Sequence, residues 1–84
     1  MIYVVEDDAE IREMEVYTLK STGFEAEGFE DGSAFFNALK KNRPELILLD
    51  VMMPKQDGLS ILKGLRRNAD TKNIPIIMAT AKGA

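Results

Sequence analysis

Residues 46–58 read LILLDVMMPKQDG, and this stretch determines the fold class that the sequence predicts. Its first four residues form an apolar run of strand length, and so does the IPIIMAT run at 74–80. Continuous apolar runs are typical of parallel strands that are covered on both faces. The first run ends abruptly on Asp50, and a loop containing Pro and Gly follows. A carboxylate at the end of so apolar a strand is unusual, and its meaning depends on which residues lie near it.

Strand and helix patterns alternate along the chain. Strand patterns occupy residues 2–5, 24–29, 46–49 and 74–80, and helix patterns occupy residues 9–21, 34–41 and 58–68. Asp8 is placed to cap the first helix and Gly23 to end it. That helix carries an approximate apolar stripe, which is the pattern of a helix that packs on a core. The stripe consists of Ile11, Met14, Val16, Tyr17 and Leu19. The alternation predicts an α/β fold with a parallel sheet and right-handed crossovers.

Length and composition narrow the class of protein. The 84 residues have the size of one domain, and a hydrophobic share of 45% with 30% charged residues excludes a disordered chain. Cys and His are absent, which excludes disulfides, thiolate nucleophiles, the usual zinc sites and His-based acid–base chemistry. Carboxylate, hydroxyl and Lys chemistry remain available.

The charged residues are unevenly distributed, although the net charge is only −3. The early acidic residues are Glu6, Asp7, Asp8, Glu10, Glu13 and Glu15, and the later basic ones include Lys40, Lys41, Arg43, Lys63, Arg66, Arg67 and Lys72. No aromatic residues interleave with the basic ones, so we interpret them as solvated helix faces and predict no nucleic-acid binding. No apolar run approaches the roughly 20 residues of a membrane helix. We predict a cytoplasmic protein without membrane contact.

Polar residues follow three of the predicted strands. Glu6 and Asp7 come after the first strand, Asp50 after the third, and Thr80 at the end of the fourth. In parallel sheets, ligands bind outside the carboxyl ends of the strands. Neighbouring carboxylates repel one another unless a cation neutralises them, and an oxygen-only cluster suits Mg²⁺. The combination therefore predicts a magnesium site.

Asp50 is the best candidate nucleophile, because it leads directly from a central strand into a loop. A carboxylate can attack phosphorus to give an aspartyl phosphate. The Thr80 hydroxyl and the Ala81 N–H are placed to donate to phosphoryl oxygens. Taken singly, Asp8 is a helix cap, and Asp50 or Thr80 is an ordinary strand end. Only the combination of acids across the sheet indicates chemistry.

Three segments together resemble the receiver domain of two-component response regulators. They are IYVVEDDAEIREM, DVMMPKQDG and NIPIIMATAKG, and the resemblance extends over essentially all 84 residues. VEDDAEIREM with DVMMP is most similar to the subfamily whose receivers regulate winged-helix DNA-binding output domains. The resemblance implies a flavodoxin-like parallel sheet with strand order 2-1-3-4.

The resemblance also implies a role for each candidate residue. Asp50 is the residue that a partner histidine kinase phosphorylates, Thr80 is the hydroxyl that moves toward the phosphoryl group, and Ala81 is the small residue beside it. The implied Mg²⁺ ligands are Glu6, Asp7, Asp50 and the backbone carbonyl of Met52. A receiver catalyses its own phosphorylation and does not turn over a separate substrate, so whether the chain counts as an enzyme is left open.

The chain departs from the family pattern after its last predicted strand. By the resemblance, residues 1–84 form a single incomplete receiver domain. The family's fourth helix, fifth strand and fifth helix, its phosphoryl-contacting Lys and an output domain are not in this sequence. We therefore expect impaired phosphoryl transfer and an exposed apolar edge at 74–80, which favours self-association or domain swapping.

Two other functional classes compete with a phosphoacceptor. A phosphatase of the haloacid dehalogenase type also uses a strand-end Asp with Mg²⁺, but it needs a second Asp two residues later, where this chain has Met52. The second alternative is a non-catalytic, receiver-like interaction fragment that pairs through its fourth-strand edge. Nucleotide hydrolysis has no support, because no phosphate-binding G-x-x-x-x-G-K-[ST] loop occurs.

Overall fold

The computed structural model of the chain describes residues 1–50 and 58–79. Its strands are β1 (Ile2–Val5), β2 (Ala26–Phe29), β3 (Leu46–Asp50) and β4 (Ile76–Ala79). Its helices are α1 (Ala9–Ser21), α2 (Gly32–Leu39) and α3 (Gly58–Arg67). Every predicted element is therefore present, although β2 and β4 are shorter than the predicted runs and α2 begins two residues earlier.

The four strands form one parallel sheet in the order β2-β1-β3-β4, as predicted. Val5 pairs with both Phe29 and Leu49, so β1 lies between β2 and β3. Asp50 pairs with Ala79 at the last position of β3. Because all strands run in one direction, their carboxyl ends share one edge of the sheet.

Local hydrogen bonds explain the limits of α1. The Asp8 carboxylate accepts hydrogen bonds from the N–H groups of Glu10 at 2.9 Å and Ile11 at 3.1 Å, which satisfies the free donors of the first turn. At the other end, Gly23 has a φ of +100°, and the N–H of Phe24 donates to the carbonyl of Leu19. Glycine adopts this left-handed conformation without strain. Both predicted ends of α1 are confirmed.

The main hydrophobic core lies on the face of the sheet that α2 and α3 cover. It contains Tyr3, Val5, Phe29, Phe35, Ile47, Leu49, Ile61, Leu65 and Ile74. The rings of Tyr3 and Phe29 meet edge to face with centroids 4.9 Å apart, and Phe35 completes the aromatic group. This packing fixes β1 and β3 side by side, and with them the two strand ends that carry acids.

Helix α1 packs on β1 and β2 at the opposite face, and its predicted apolar stripe is partly wrong. Met14 and Tyr17 are 65% and 73% exposed. The partly buried residues recur instead with helical spacing at Ile11, Arg12, Glu15, Val16 and Leu19. Two polar side chains therefore share the sheet-facing side of α1, and the apolar pattern alone gave the wrong rotation of the helix.

Strand β4 is also less covered than its apolar run predicted. Among the described residues it pairs only with β3, and Ile77 and Met78 are 53% and 47% exposed. Alternate side chains of a strand point to opposite faces, so these neighbours expose apolar surface on both faces of the sheet. The exposure contradicts the coverage on both faces that the apolar run alone predicted, and it agrees with the exposed apolar edge expected at 74–80.

Candidate functional site

Three acidic side chains meet at the carboxyl ends of the two central strands. Glu6 directly follows β1, Asp7 comes next, and Asp50 is the last residue of β3. One carboxylate oxygen from each lies within 4.8 Å of the others. Glu6 and Asp50 are buried and Asp7 is half-buried. The structure thus brings together the acids that the sequence placed at separate strand ends.

Backbone hydrogen bonds hold the segment that carries Glu6. Its N–H donates to the carbonyl of Phe29 at 3.0 Å, and one oxygen of its carboxylate accepts from the N–H of Asp8 at 3.1 Å. These contacts continue the β1–β2 pairing by one residue and limit the positions available to the Glu6 side chain. The cap of α1 and the acidic site therefore share the same short loop.

Arg12 supports this loop from α1. Its guanidinium donates to the carbonyl of Glu6 at 2.9 Å and reaches the carbonyl of Asp7 at 3.5 Å. The aliphatic stem of Arg12 crosses Gly28, where an added Cβ would lie only 2.8 Å from Arg12 Cγ. Gly28 thus leaves the space in which Arg12 fixes the backbone of both acids. None of the described Lys or Arg residues forms an ion pair with the Glu6 or Asp7 carboxylate.

Burial and neighbouring acids raise the pKa of Glu6 to about 7. Burial is the largest cause, and hydrogen bonds with the Asp7 and Asp50 side chains and the charge of Asp50 act in the same direction, whereas the Asp8 N–H opposes them. A proton on Glu6 relieves the repulsion among these carboxyl groups. A bound cation would do the same and would displace that proton.

The donor set fits Mg²⁺. The Oδ1 atom of Asp7 is buried and has no hydrogen-bond partner among residues 1–50 and 58–79. A buried polar oxygen without a partner is unfavourable, and a cation would satisfy it. The three convergent groups offer only oxygen ligands, which a small hard cation prefers.

The predicted site residues divide into two groups. Glu6, Asp7 and Asp50 lie together, whereas Met52, Thr80 and Ala81 lie outside the described residues. Two polar residues on the sheet-facing side of α1 were not predicted: Arg12, which contacts the backbone of the site, and Glu15. Arg12 and Glu15 are three residues apart, and Val16 and Leu19 continue this helical spacing. That spacing was the only sequence pattern that could have placed the two residues on the covered side of α1.

Comparison with known proteins agrees with the resemblance. The response regulator receiver domain matches residues 2–84. The chain belongs to this family. The match includes both central strands and all three acids of the site, so the predicted family is confirmed.

Curated relatives of this receiver domain are transcriptional regulators. It is 46% identical over 82 residues to the phosphate regulon transcriptional regulatory protein PhoB of Klebsiella pneumoniae, which covers 98% of this chain and 36% of PhoB. It is 38% identical over 81 residues to the DNA-binding response regulator MtrA of Mycolicibacterium paratuberculosis, covering 96% of this chain and 35% of MtrA. The receiver domain described here thus spans about a third of the length of these relatives.

Solved structures support the predicted flavodoxin-like fold. The receiver superimposes on the chemotaxis protein CheY4 of Vibrio cholerae with a TM-score of 0.90 and 32% identity, over 99% of this chain and 69% of CheY4. It superimposes on the response regulator TrrA of Thermotoga maritima, solved with Mg²⁺ and BeF, with a TM-score of 0.85 and 30% identity, over 98% of this chain and 70% of TrrA.

General properties of the family follow from this membership. Receiver domains use Mg²⁺ and accept phosphoryl groups from histidine kinases. Within the described ranges, no helix has the length and apolar character required to cross a membrane.

Proposed function

We propose that this receiver domain accepts a phosphoryl group on Asp50 and that Glu6, Asp7, Asp50 and the Met52 carbonyl hold Mg²⁺. The observation that carries the proposal is the convergence of three carboxylates within 4.8 Å at the carboxyl ends of β1 and β3. A cluster of three carboxylates does not contribute to packing of the hydrophobic core, so its presence is better explained by function. The Oδ1 atom of Asp7 has no hydrogen-bond partner in the part of the chain that the structure describes, which adds a reason for a cation to bind there.

The chemistry is a displacement at phosphorus. A carboxylate oxygen of Asp50 attacks the phosphorus of a phosphohistidine, a P–O bond forms, and the P–N bond breaks with its electron pair returning to the imidazole. Bound Mg²⁺ supplies positive charge that offsets the carboxylates and the phosphoryl oxygens. Thr80 and Ala81 donate hydrogen bonds to those oxygens.

We also propose partners for this receiver domain. A histidine kinase is the donor, and a DNA-binding output would be the effector, as the names of the PhoB and MtrA relatives suggest. A cytoplasmic location and the absence of direct nucleic-acid contact by residues 1–84 stay predictions.

A small phosphodonor tests the phosphoacceptor directly. The chain is incubated with acetyl phosphate and Mg²⁺, and intact-mass spectrometry follows the gain of one phosphoryl group. We expect a hydroxylamine-labile adduct in the wild type and in the control Asp70→Asn, whose residue is exposed and distant from the site. Asp50→Asn should lose the adduct completely. An adduct retained by Asp50→Asn, or none in the wild type, would contradict the proposal.

A second candidate function is self-association through the edge of β4. The edge is unpaired among the described residues and carries the exposed side chains of Ile77 and Met78. Free strand edges with apolar neighbours pair readily with other chains, and a second copy supplies an identical edge. We propose that this 84-residue chain dimerises by this route.

Sedimentation velocity over a range of concentrations tests the dimer. A charge on an exposed edge opposes pairing, so Ile77→Lys should shift the chain to monomer, whereas Tyr17→Lys on α1 should leave the distribution unchanged. A wild-type chain that sediments as one monomeric species at every concentration would disprove self-association.

A further inference from the structure

Glu15 lies on the sheet-facing side of α1, where an apolar residue would be expected. It is half-buried and shares its side of the helix with four other partly buried residues, Ile11, Arg12, Val16 and Leu19. Arg12 and Val16 of this group face Gly28 on β2. The phosphoacceptor chemistry proposed above gives Glu15 no role.

Asp50 is directed to this same face of the sheet. Side chains alternate along a strand, and Ile47 and Leu49 of β3 belong to the core under α2 and α3. Leu48 and Asp50 therefore point to the opposite face, where α1 packs on the neighbouring strands β1 and β2. Burial raises the pKa of Glu15, and the charge of Asp50 raises it further, as expected of two carboxylates that act on each other across this face.

No described cation forms an ion pair with the Glu15 carboxylate. Among residues 1–50 and 58–79, the one ion pair joins the N-terminal amine to Glu45, far from this face of the sheet. Arg12, one turn earlier, donates from its guanidinium to the backbone carbonyls of Glu6 and Asp7. Within the described residues the Glu15 carboxylate therefore has no ion-pair partner, and screening is weaker for partly buried charges than for exposed ones.

We propose that Glu15 is a positioning residue that sets the electrostatic balance of the Asp50 site, favouring the cation and opposing anionic phosphoryl donors. The inference rests on the proposed function of Asp50. A negative charge behind the three carboxylates increases their attraction for Mg²⁺. The same charge repels a phosphodonor, so it slows uptake once Mg²⁺ is saturating.

The chain offers a closely matched control. Glu13 lies on the same helix two residues away and is exposed, so Glu13→Gln and Glu15→Gln make the same chemical change and leave the same net charge. Glu15→Asp keeps the charge while altering the side-chain length. Any difference in Mg²⁺ affinity or labelling rate between the two Gln variants is then due to where the lost charge lies relative to Asp50.

Two measurements on the whole chain test the inference. Calorimetric titration with Mg²⁺ should show affinity lowered about threefold or more in Glu15→Gln and changed less than about twofold in Glu13→Gln and Glu15→Asp. At saturating Mg²⁺, acetyl phosphate should label Glu15→Gln about two- to threefold faster than the other two. Raising the ionic strength should shrink both differences.

The outcomes separate the two proposals. A packing defect would impair both Mg²⁺ binding and labelling, so changes in opposite directions distinguish a charge effect from a structural one. Equal behaviour of Glu15→Gln and Glu13→Gln, in a wild type that binds Mg²⁺ and is labelled on Asp50, would overturn the role of Glu15 alone. A wild type that does neither would overturn the proposed function itself.

Discussion

Replacing Asp7 with Asn is expected to weaken Mg²⁺ binding more than about tenfold and to raise the melting temperature of the metal-free chain. The carboxylate of Asp7 lies with those of Glu6 and Asp50, so removing its charge relieves repulsion in the absence of metal. Its Oδ1 lacks a hydrogen-bond partner among the described residues, so its amide counterpart gives up no contact that they provide. Function and stability should therefore change in opposite directions.

Thermal unfolding with and without Mg²⁺ measures both effects. Relief of about 1 kcal/mol of repulsion corresponds to roughly 4 to 8 °C for a domain of this size. Mg²⁺ should raise the melting temperature of the wild type and leave Asp7→Asn nearly unchanged, because a cation that binds only the folded state stabilises it. Asp70→Asn, an exposed and distant change, should behave as the wild type. If Mg²⁺ raised the melting temperatures of Asp7→Asn and Asp70→Asn equally, Asp7 would not be a ligand of the site.

Replacing Phe35 with Ala is expected to destabilise the chain by about 3 to 5 kcal/mol, enough to unfold much of so small a domain at room temperature. Phe35 has no exposed surface and meets the rings of Tyr3 and Phe29 edge to face. Its loss removes buried apolar area and leaves a cavity beneath β1, which carries Glu6 at its end. Metal binding should fail together with folding.

The matched control is Phe24→Ala. This substitution makes the same change in volume and hydrophobicity, but Phe24 is 56% exposed. We therefore expect the free energy of unfolding to fall by less than about 1 kcal/mol. Urea unfolding followed by circular dichroism gives both free energies of unfolding, and the slope against urea shows whether unfolding stays cooperative. A similar loss for the two variants would mean that Phe35 is not the centre of the core.

The sheet was predictable because its strands are marked by strong local patterns. The apolar runs at 2–5 and 46–49 are typical of central strands. The segments between strands are long enough for crossover helices, which indicates that the strands are parallel. The rotation of α1 was harder to predict, since Met14 and Tyr17 are apolar yet exposed. Sheet contacts, and not side-chain polarity, determine which side of that helix is covered.

The acidic site was predictable for a related reason, and its surroundings were not. Carboxylates that follow buried strands must emerge at the same edge of a parallel sheet, so Glu6, Asp7 and Asp50 could be placed together in advance. The contacts of Arg12 with two carbonyls depend on the close approach of α1 to Gly28. Glu15 depends on the same helix placement, which no short motif encodes.

The position of the acids on two adjacent strands has a consequence for folding. Asp7 and Asp50 are far apart in the sequence and meet only after β1 and β3 have paired in register. A cation shared by them would act as a removable cross-link that closes the long loop between these strands. Chelation and re-addition of Mg²⁺ would then make or break one long-range tether in an otherwise unaltered chain, and so would test how far this pairing limits the rate of folding.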